Sequence, residues 1–167
     1  MRKVVRFLLL AAVLAALGLL PFRATDAAKL IPVRAVIVTR DGEAYTVDVG
    51  QAVRGVGRTL TEALADLRAG VSGEIFFPTA EEIVVTDTGA DFAETVTAVT
   101  EEEAFQPAAA LYRTEERGLD ASAVADYLAS HPSEVTLVRV RGALRSGEPV
   151  ALPDLRVAQG GFRVDAP

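Results

Sequence analysis

The sequence predicts an α+β fold, one small domain in which a mixed sheet of about four to six strands packs against three to four helices. Half of the 167 residues are hydrophobic, which is enough for a buried core. A capped amphipathic pattern at residues 59 to 70 predicts a helix. Directly after it, β-branched or aromatic runs at residues 75 to 77 and 83 to 85 predict two strands.

Composition divides the chain into three parts. Residues 1 to 27 predict a signal peptide or a short membrane anchor, and residues 28 to 148 predict the α/β domain. Residues 149 to 167 predict an extended C-terminal segment, with a glycine turn at residues 160 to 161 and a last strand at residues 162 to 164.

The N-terminal part has the order of a secretory signal. Arg2, Lys3 and Arg6 precede an uncharged run over residues 7 to 22. As a helix this run reaches about 24 Å, short of a hydrocarbon core of roughly 30 Å. This length favours cleavage, with Ala27 as the last residue of the candidate cleavage site. The alternative is a retained anchor that associates with the membrane through residues 7 to 22. Both predict an exported, extracytoplasmic domain, either secreted or membrane-tethered.

Charge and cysteine content exclude several classes of site. Residues 1 to 27 contain four basic residues and one acidic residue, which leaves 13 basic and 22 acidic residues in the rest of the chain. A domain this acidic repels phosphate backbones, so we expect no nucleic-acid partner. The absence of cysteine excludes disulfides, thiolate metal sites and an acylated lipoprotein cysteine.

The first strands form a predicted hairpin. Residues 32 to 39 and 45 to 49 have strand patterns, and Asp41-Gly42 lies between them as a turn signal. The next segment, residues 50 to 58, contains three glycines, but their spacing matches no phosphate-binding loop. We therefore expect a mobile connector there.

The sequence contains signals for both ends of the helix that follows this connector. The Thr59 hydroxyl is expected to cap it, and the Glu62 carboxylate to bond back to the cap N–H. Its apolar residues fall on one stripe, and Gly70 is expected to end it in a left-handed conformation. The stripe consists of Leu60, Ala63, Leu64 and Leu67.

The second half predicts three further elements. A helix is expected over residues 91 to 99, followed by Glu101 to Glu103, which we interpret as a solvated acidic turn and not as a metal or acid/base site. A strand is expected within residues 105 to 112. Asp120 then caps a predicted helix over residues 121 to 130.

Residues 131 to 146 carry the single histidine and a basic segment. His131 is expected to lie at a helix end, where its ring meets the last carbonyls. Residues 134 to 146 fit a strand or a helix, and we favour the helix. Arg139, Arg141 and Arg145 could touch anionic lipid headgroups, but solvated arginines on one face are the favoured interpretation.

The order of these elements resembles one known family. The strongest match is the Gly-x-Thr-Leu-x-Glu-Ala-Leu pattern of residues 57 to 64, after the strand pair and before residues 83 to 85. From about residue 26 to about residue 146, the chain resembles the N-terminal domain of the Ger(x)C proteins, the C subunits of spore germinant receptors. The resemblance implies a membrane-proximal setting and a role in sporulation or spore germination. It extends to neither the acylated cysteine nor the later domains of that family.

The motifs of common enzymes are missing from the sequence. No serine lies in a Gly-x-Ser-x-Gly setting, and one histidine cannot build a multi-histidine metal site. We therefore predict no enzymatic activity and no catalytic, metal or cofactor-binding residues. The expected function is a non-catalytic interaction domain that docks to an envelope or membrane protein. The alternative is a small-molecule-binding module of the envelope, with its ligand between the helix face and the sheet.

Overall fold

The computed structural model describes residues 29–167, and in this part of the chain it contains nine strands and four helices. The strands are β1 Leu30–Pro32, β2 Ala35–Asp41, β3 Ala44–Asp48, β4 Arg54–Gly57, β5 Glu74–Phe76, β6 Glu82–Thr86, β7 Ala110–Thr114, β8 Asp154–Ala158 and β9 Gly161–Asp165. The helices are α1 Leu60–Ala69, α2 Phe92–Glu101, α3 Ala121–Leu128 and α4 Leu137–Ser146. The α+β class is confirmed. The signal or anchor segment, including residues 7 to 22 and Ala27, lies outside the described residues.

Seven strands form one mixed sheet in the order β4-β3-β2-β6-β7-β8-β9, larger than the four to six strands expected. Strands β2, β6, β7 and β8 run parallel, while β3, β4 and β9 join as antiparallel edges. The predicted hairpin is confirmed as β2–β3, in which Gly42 takes the left-handed conformation that a tight turn requires, with φ +59.

Residues 50 to 58 are not a mobile connector. Residues 54 to 57 form β4, which pairs with β3 and lies directly on α1. Its glycines make this approach possible, because a Cβ on Gly55 would lie 2.1 Å from the Ala63 carbonyl oxygen. The glycines therefore mark close packing of a strand against a helix, and the only turn is at residues 49 to 53.

The strands at residues 75 to 77 and 83 to 85 exist but do not pair with each other. Strand β5 instead pairs in parallel with β1 in a separate two-stranded sheet. A short 3-10 turn over Phe77–Thr79 separates it from β6 and buries the Phe77 ring against Phe105, with ring centroids 5.8 Å apart.

Helices α1, α2 and α4 cover one face of the sheet, which we call the three-helix face. Alternate residues of β2, β6 and β7 point into it and form the larger core with the stripe of α1. These strand residues are Val36, Val38, Ile83, Val85 and Leu111.

Of the four helices in the described part of the chain, only α3 packs on the opposite face, which we call the one-helix face. There the register of β2, β6 and β7 creates three rows. The middle row is apolar and contacts α3, while the outer rows are Ala-Glu-Ala and Thr-Thr-Thr. The rows are Ala35-Glu82-Ala110, Ile37-Val84-Tyr112 and Thr39-Thr86-Thr114.

The cap of α1 is confirmed with two corrections. The Thr59 hydroxyl accepts from the Glu62 N–H at 3.1 Å. The Glu62 carboxylate, however, accepts from the Arg58 N–H at 2.9 Å and not from the cap N–H. Gly70 ends the helix in a right-handed conformation, with φ −79, because its N–H still bonds to carbonyls of the last turn.

The later elements follow the predictions with shifted ends. The strand expected within residues 105 to 112 begins only at Ala110, because the residues before it turn to bury Phe105. Asp120 caps α3 as expected, its carboxylate accepting from the N–H of Ser122 at 2.7 Å. Helix α4 is confirmed, and left-handed Gly147 closes it with φ +71. The C-terminal segment holds the β8–β9 hairpin, in which the expected last strand is β9.

Candidate docking surface

Helix α4 is amphipathic, but its outer side keeps apolar residues in solvent. Leu137 and Val140 are buried in the three-helix core. Val138 is 53% exposed, and Leu144, one turn beyond Val140, is 39% exposed. Val138 lies outside the buried stripe of α4, so it is one apolar residue that a partner could contact, and the groove described next is the larger feature of this helix.

A groove lies beside the exposed side of α4, where residues 148 to 151 run back towards β8. Its volume is about 420 Å³, and apolar side chains form most of its walls. Gly142 has open space around it, so the helix contributes a flat wall there. The lining residues are Val135, Arg139, Val140, Gly142, Ala143, Glu148, Pro149, Val150 and Ala151. We call these residues the α4 surface, together with three exposed residues of the same helix: Val138, and Leu144 and Arg145, which line a separate groove against α2.

The arginines of α4 have two different roles. The Arg141 guanidinium donates to the Thr100 carbonyl at the end of α2, so it ties two helices together and is half-buried. Arg139 and Arg145 are exposed, as expected for solvated arginines. Arg139 approaches the Glu134 carboxylate only at 3.9 Å, and this pair is too exposed to hold its charges firmly. The α4 surface is therefore a basic and apolar region in an acidic domain.

A second concave region is the cleft between the start of α1, helix α2 and the β2–β3 hairpin. Its volume is about 340 Å³. Arg40 crosses it, pairing with the Glu94 carboxylate at 2.5 Å and lying over the Tyr45 ring. The hydrogen bond that Arg40 donates to the Glu94 carboxylate raises the pKa of Arg40 above its ordinary value. Arg40 and Glu94 thus already pair with each other inside the cleft.

The acidic run at residues 101 to 103 borders this cleft and is only partly solvated. Glu102 accepts from the Thr61 hydroxyl at 3.0 Å and from the Ala104 N–H at 3.2 Å, so it joins α2 to α1. Glu101 and Glu103 are exposed. Within residues 29–167, no group of three or more histidine, cysteine or acidic residues has the arrangement of a metal site.

Glu82 is a residue that the sequence analysis missed. It is 6% exposed on the one-helix face, and no group of residues 29–167 forms a hydrogen bond with its Oε2. Burial, reinforced by Glu81, raises its pKa to about 7, although Arg34 opposes this shift. The strand alternation could have revealed it, since Glu82 shares its face with buried Val84. A carboxyl group with this pKa could exchange protons near neutral pH, but Glu82 lines neither the groove nor the cleft.

His131 lies where the sequence predicted. Its Nδ1 is 2.9 Å from the Tyr127 carbonyl, and its ring stacks on the Tyr127 ring with centroids 4.1 Å apart. The Tyr112 hydroxyl donates to the His131 carbonyl at 3.1 Å, which fixes the end of α3 to the sheet. These contacts give His131 a structural role.

Comparisons with known proteins identify no relative: no protein-family model, curated protein or solved structure matches the chain. The resemblance to the Ger(x)C proteins therefore stays a prediction from sequence. Among the helices in residues 29–167, none is long and apolar enough to cross a membrane.

Proposed function

We propose that this protein is an exported, non-catalytic interaction domain that docks to an envelope protein through the α4 surface. One observation carries the proposal. Val138 is 53% exposed on α4, and the same helix borders a groove that is lined mostly by apolar side chains and by the exposed Arg139, in a domain that is acidic overall. Apolar anchors surrounded by polar groups are the usual core of a protein interface.

The charge of the α4 surface indicates which charge its partner carries. Arg139 and Arg145 would attract a segment that carries carboxylates, while the groove would accept one or two apolar side chains of that segment. The acidic remainder of the domain would repel the same segment elsewhere. The expected occupant is therefore an acidic segment of an envelope protein with apolar residues at its centre.

Site-specific photo-crosslinking in living cells tests this docking directly. A photoreactive residue replaces Val138 in the full chain, and a matched variant carries it at Val56, which is 51% exposed on the β4 edge. We expect an adduct with one envelope protein from position 138 and none from position 56. Arg139→Glu together with Arg145→Glu should abolish the adduct without lowering Tm.

Two outcomes would overturn the docking proposal. One is equal crosslinking from positions 138 and 56, which would mean contact without a specific surface. The other is an unchanged adduct in the double arginine variant, which would remove the charge argument. If the double variant loses the adduct and also has a lower Tm, the variants Arg139→Lys and Arg145→Lys are compared with it. They keep the positive charge and should therefore restore crosslinking.

Export is a separate part of the proposal and has a separate test. N-terminal sequencing of the protein from its native cells should find a chain that begins after Ala27 if the signal is cleaved, or the intact start in the membrane fraction if the anchor is retained. Recovery of the intact chain from the cytosol would contradict export. The role in sporulation or germination, which rests on the Ger(x)C resemblance, predicts that gene deletion in a spore former lowers spore yield or germination.

A small-molecule-binding module is the second candidate function, because the cleft of about 340 Å³ falls within the size range of ligand pockets. Its paired charges suit a zwitterionic or carboxylate ligand that displaces Glu94 from Arg40. A thermal-shift screen of amino acids and envelope fragments should give a rise in Tm that Arg40→Met removes. The absence of any shift across the screen favours the docking function.

A further inference from the structure

Strand β9 forms one edge of the seven-stranded sheet, and the hydrogen bonds of β8 determine which groups of β9 face outward. The Arg113 N–H donates to the Pro153 carbonyl at 2.9 Å, and the Leu155 carbonyl accepts from the Thr114 hydroxyl at 2.7 Å. Pro153 and Leu155 therefore direct their carbonyl groups towards β7. Because hydrogen bonding alternates along a strand, the residues between and beyond them bond towards β9.

The register partners of those β8 residues are Arg163 and Asp165 in β9, so the main-chain groups of both bond back into the sheet. This leaves the N–H and C=O groups of Phe162 and Val164 on the outer edge. Within residues 29–167, no hydrogen bond from another part of the fold reaches these groups. The edge of β9 therefore offers a row of unpaired donors and acceptors.

The opposite edge of the sheet, β4, is protected. The Val56 N–H on its outer side donates to the Asp66 carboxylate of α1 at 2.9 Å. A side chain that occupies an edge donor prevents another strand from pairing there. Strand β9 has no such cap, so it is the edge available for pairing.

The β8–β9 hairpin places like charges directly opposite one another. Asp154 lies directly opposite Asp165, and Arg156 lies directly opposite Arg163. Like charges in directly opposed positions destabilise a sheet. Opposite charges pair off register instead: Arg156 lies 2.6 Å from the Asp154 carboxylate, and Arg163 and Arg156 lie 2.8 Å and 3.7 Å from the Asp165 carboxylate. The outer side of β9 thus lacks directly opposed partners of opposite charge.

We propose that β9 pairs with β9 of a second copy of this chain, antiparallel and centred on Val164. In this register Arg163 faces the partner's Asp165 and Asp165 faces the partner's Arg163. Val164 faces the partner's Val164 as a hydrogen-bonded pair, because its main-chain groups already point outward. The two-fold axis makes one patch complementary to itself, which identifies a second copy as the occupant.

Other registers do not place opposite charges across the strand pair. A centre on Arg163 would oppose two arginines, and a centre on Phe162 would leave Arg163 opposite a glycine of the partner. In the Val164-centred register the two Phe162 residues lie four positions apart along the ladder, roughly 13 Å. Each ring is covered by Tyr127 of its own copy at 5.7 Å, so these aromatic pairs do not overlap.

Charge reversal tests the register, with sedimentation equilibrium of the full chain in detergent as the measurement. Arg163→Asp and Asp165→Arg each place like charges opposite one another twice, so each should weaken dimerisation about tenfold or more. The double variant restores the opposed unlike pairs and should return to within about threefold of the native chain. A monomeric native chain at all concentrations, or a double variant as weak as the singles, would overturn the proposal.

Cysteine crosslinking gives an independent test, because the native chain has no cysteine. Val164→Cys should form a disulfide-linked dimer under mild oxidation, since the two positions face each other. Val157→Cys is the matched control, since Val157 is 54% exposed but lies one strand inside the edge. Equal crosslinking at both positions would contradict the proposed register. Near-native Tm values for the variants show that the fold is intact.

Discussion

The two faces of the seven-stranded sheet differ in the chemistry that they bury. On the three-helix face, every inward residue of β2, β6 and β7 in the core is apolar, and three helices cover it. On the one-helix face, a single apolar row contacts α3, and rows containing Glu82 and three threonines flank it. Glu82 lacks a partner for one oxygen, whereas Thr39 and Thr86 bond to each other at 2.8 Å.

The two faces of the sheet therefore contribute to the stability of the fold in different ways. The three-helix face provides most of the buried apolar area and therefore most of the folding free energy. The one-helix face contains groups whose stability depends on hydrogen bonding and protonation. Substitutions on the two faces should consequently differ in size and in their dependence on pH.

The largest expected loss of stability follows a core substitution on the three-helix face. Leu64→Ala, at a residue that is 1% exposed, should lower the free energy of unfolding by about 3 to 5 kcal/mol, because α1 packs on both β3 and β4, is bonded to β4 through Asp66, and cannot move to close the cavity. Leu128→Ala in α3 should lower it by only about 2 to 3 kcal/mol, because a short helix on its own can move towards the sheet. Urea denaturation of both variants tests this. Equal losses would show that the two faces pack equally rigidly.

The next effect is a pH dependence specific to the one-helix face. Because burial raises the pKa of Glu82 from 4.5 to about 7, the carboxyl group favours folding when protonated. Glu82 therefore contributes its full share to the free energy of unfolding below pH 4.5. This share is lost as the pH rises through about 7, which lowers the free energy of unfolding by about 3 kcal/mol at most. Glu82→Gln should therefore match the native protein at pH 4 and exceed its stability at pH 8.

The difference between Glu82→Gln and the native protein, followed across pH, isolates this group from the other carboxylates. Arg34, Glu81 and Tyr112 are the charged or titratable groups that interact with it. Arg34 is itself bound to Asp126 of α3 at 2.8 Å. A difference that does not change between pH 4 and pH 8 would mean that Glu82 titrates as an ordinary carboxyl group.

A smaller effect concerns the contact between β4 and α1 on the three-helix face. Gly55→Ala should destabilise the protein by about 1 to 3 kcal/mol, because the new Cβ would lie 2.1 Å from the Ala63 carbonyl oxygen. The control is Gly142→Ala, in a helix with open space around it, which should stabilise by about 1 kcal/mol. Thermal denaturation of both distinguishes them by the sign of the change in Tm.

The smallest expected losses of stability come from removing a helix cap, and one cap on each face can be compared. Thr59→Ala in front of α1 and Asp120→Ala in front of α3 should each cost about 1 kcal/mol. Asp120 accepts from two N–H groups, at 2.7 and 3.3 Å, whereas Thr59 accepts from one, so the loss at Asp120 should be the larger. A larger loss at Thr59 would indicate that the Glu62 bond depends on the Thr59 cap.

Local signals in the sequence predicted local structure well. The caps at Thr59 and Asp120, the Gly42 turn and the end of α4 at Gly147 each depend on a few adjacent residues. Of the three arginines of α4 expected to be solvated, Arg139 and Arg145 are exposed, but the expectation is wrong for Arg141, which is half-buried because it donates to the Thr100 carbonyl of α2.

Pairing between distant segments could not be predicted in this way. The partner of β5 is β1, more than forty residues earlier, and no adjacent residue indicates it. Gly55 resembled part of a flexible connector because the reason for its small size lies in α1. The groove likewise depends on residues 149 to 151, which the attachment of β8 to β7 brings beside α4.

The small β1–β5 sheet has a mechanical consequence for the whole chain. Leu30 to Pro32 pair with residues 74 to 76 in parallel, directly after the point where the described chain begins. A pull on residue 29 along β1 would load these pairs in shear, which strains them together and not one after another. Phe77, 1% exposed, continues from β5 into the core and resists the same pull. A force applied at residue 29 would thus be carried through the β1–β5 pairs and Phe77 into the core of the domain.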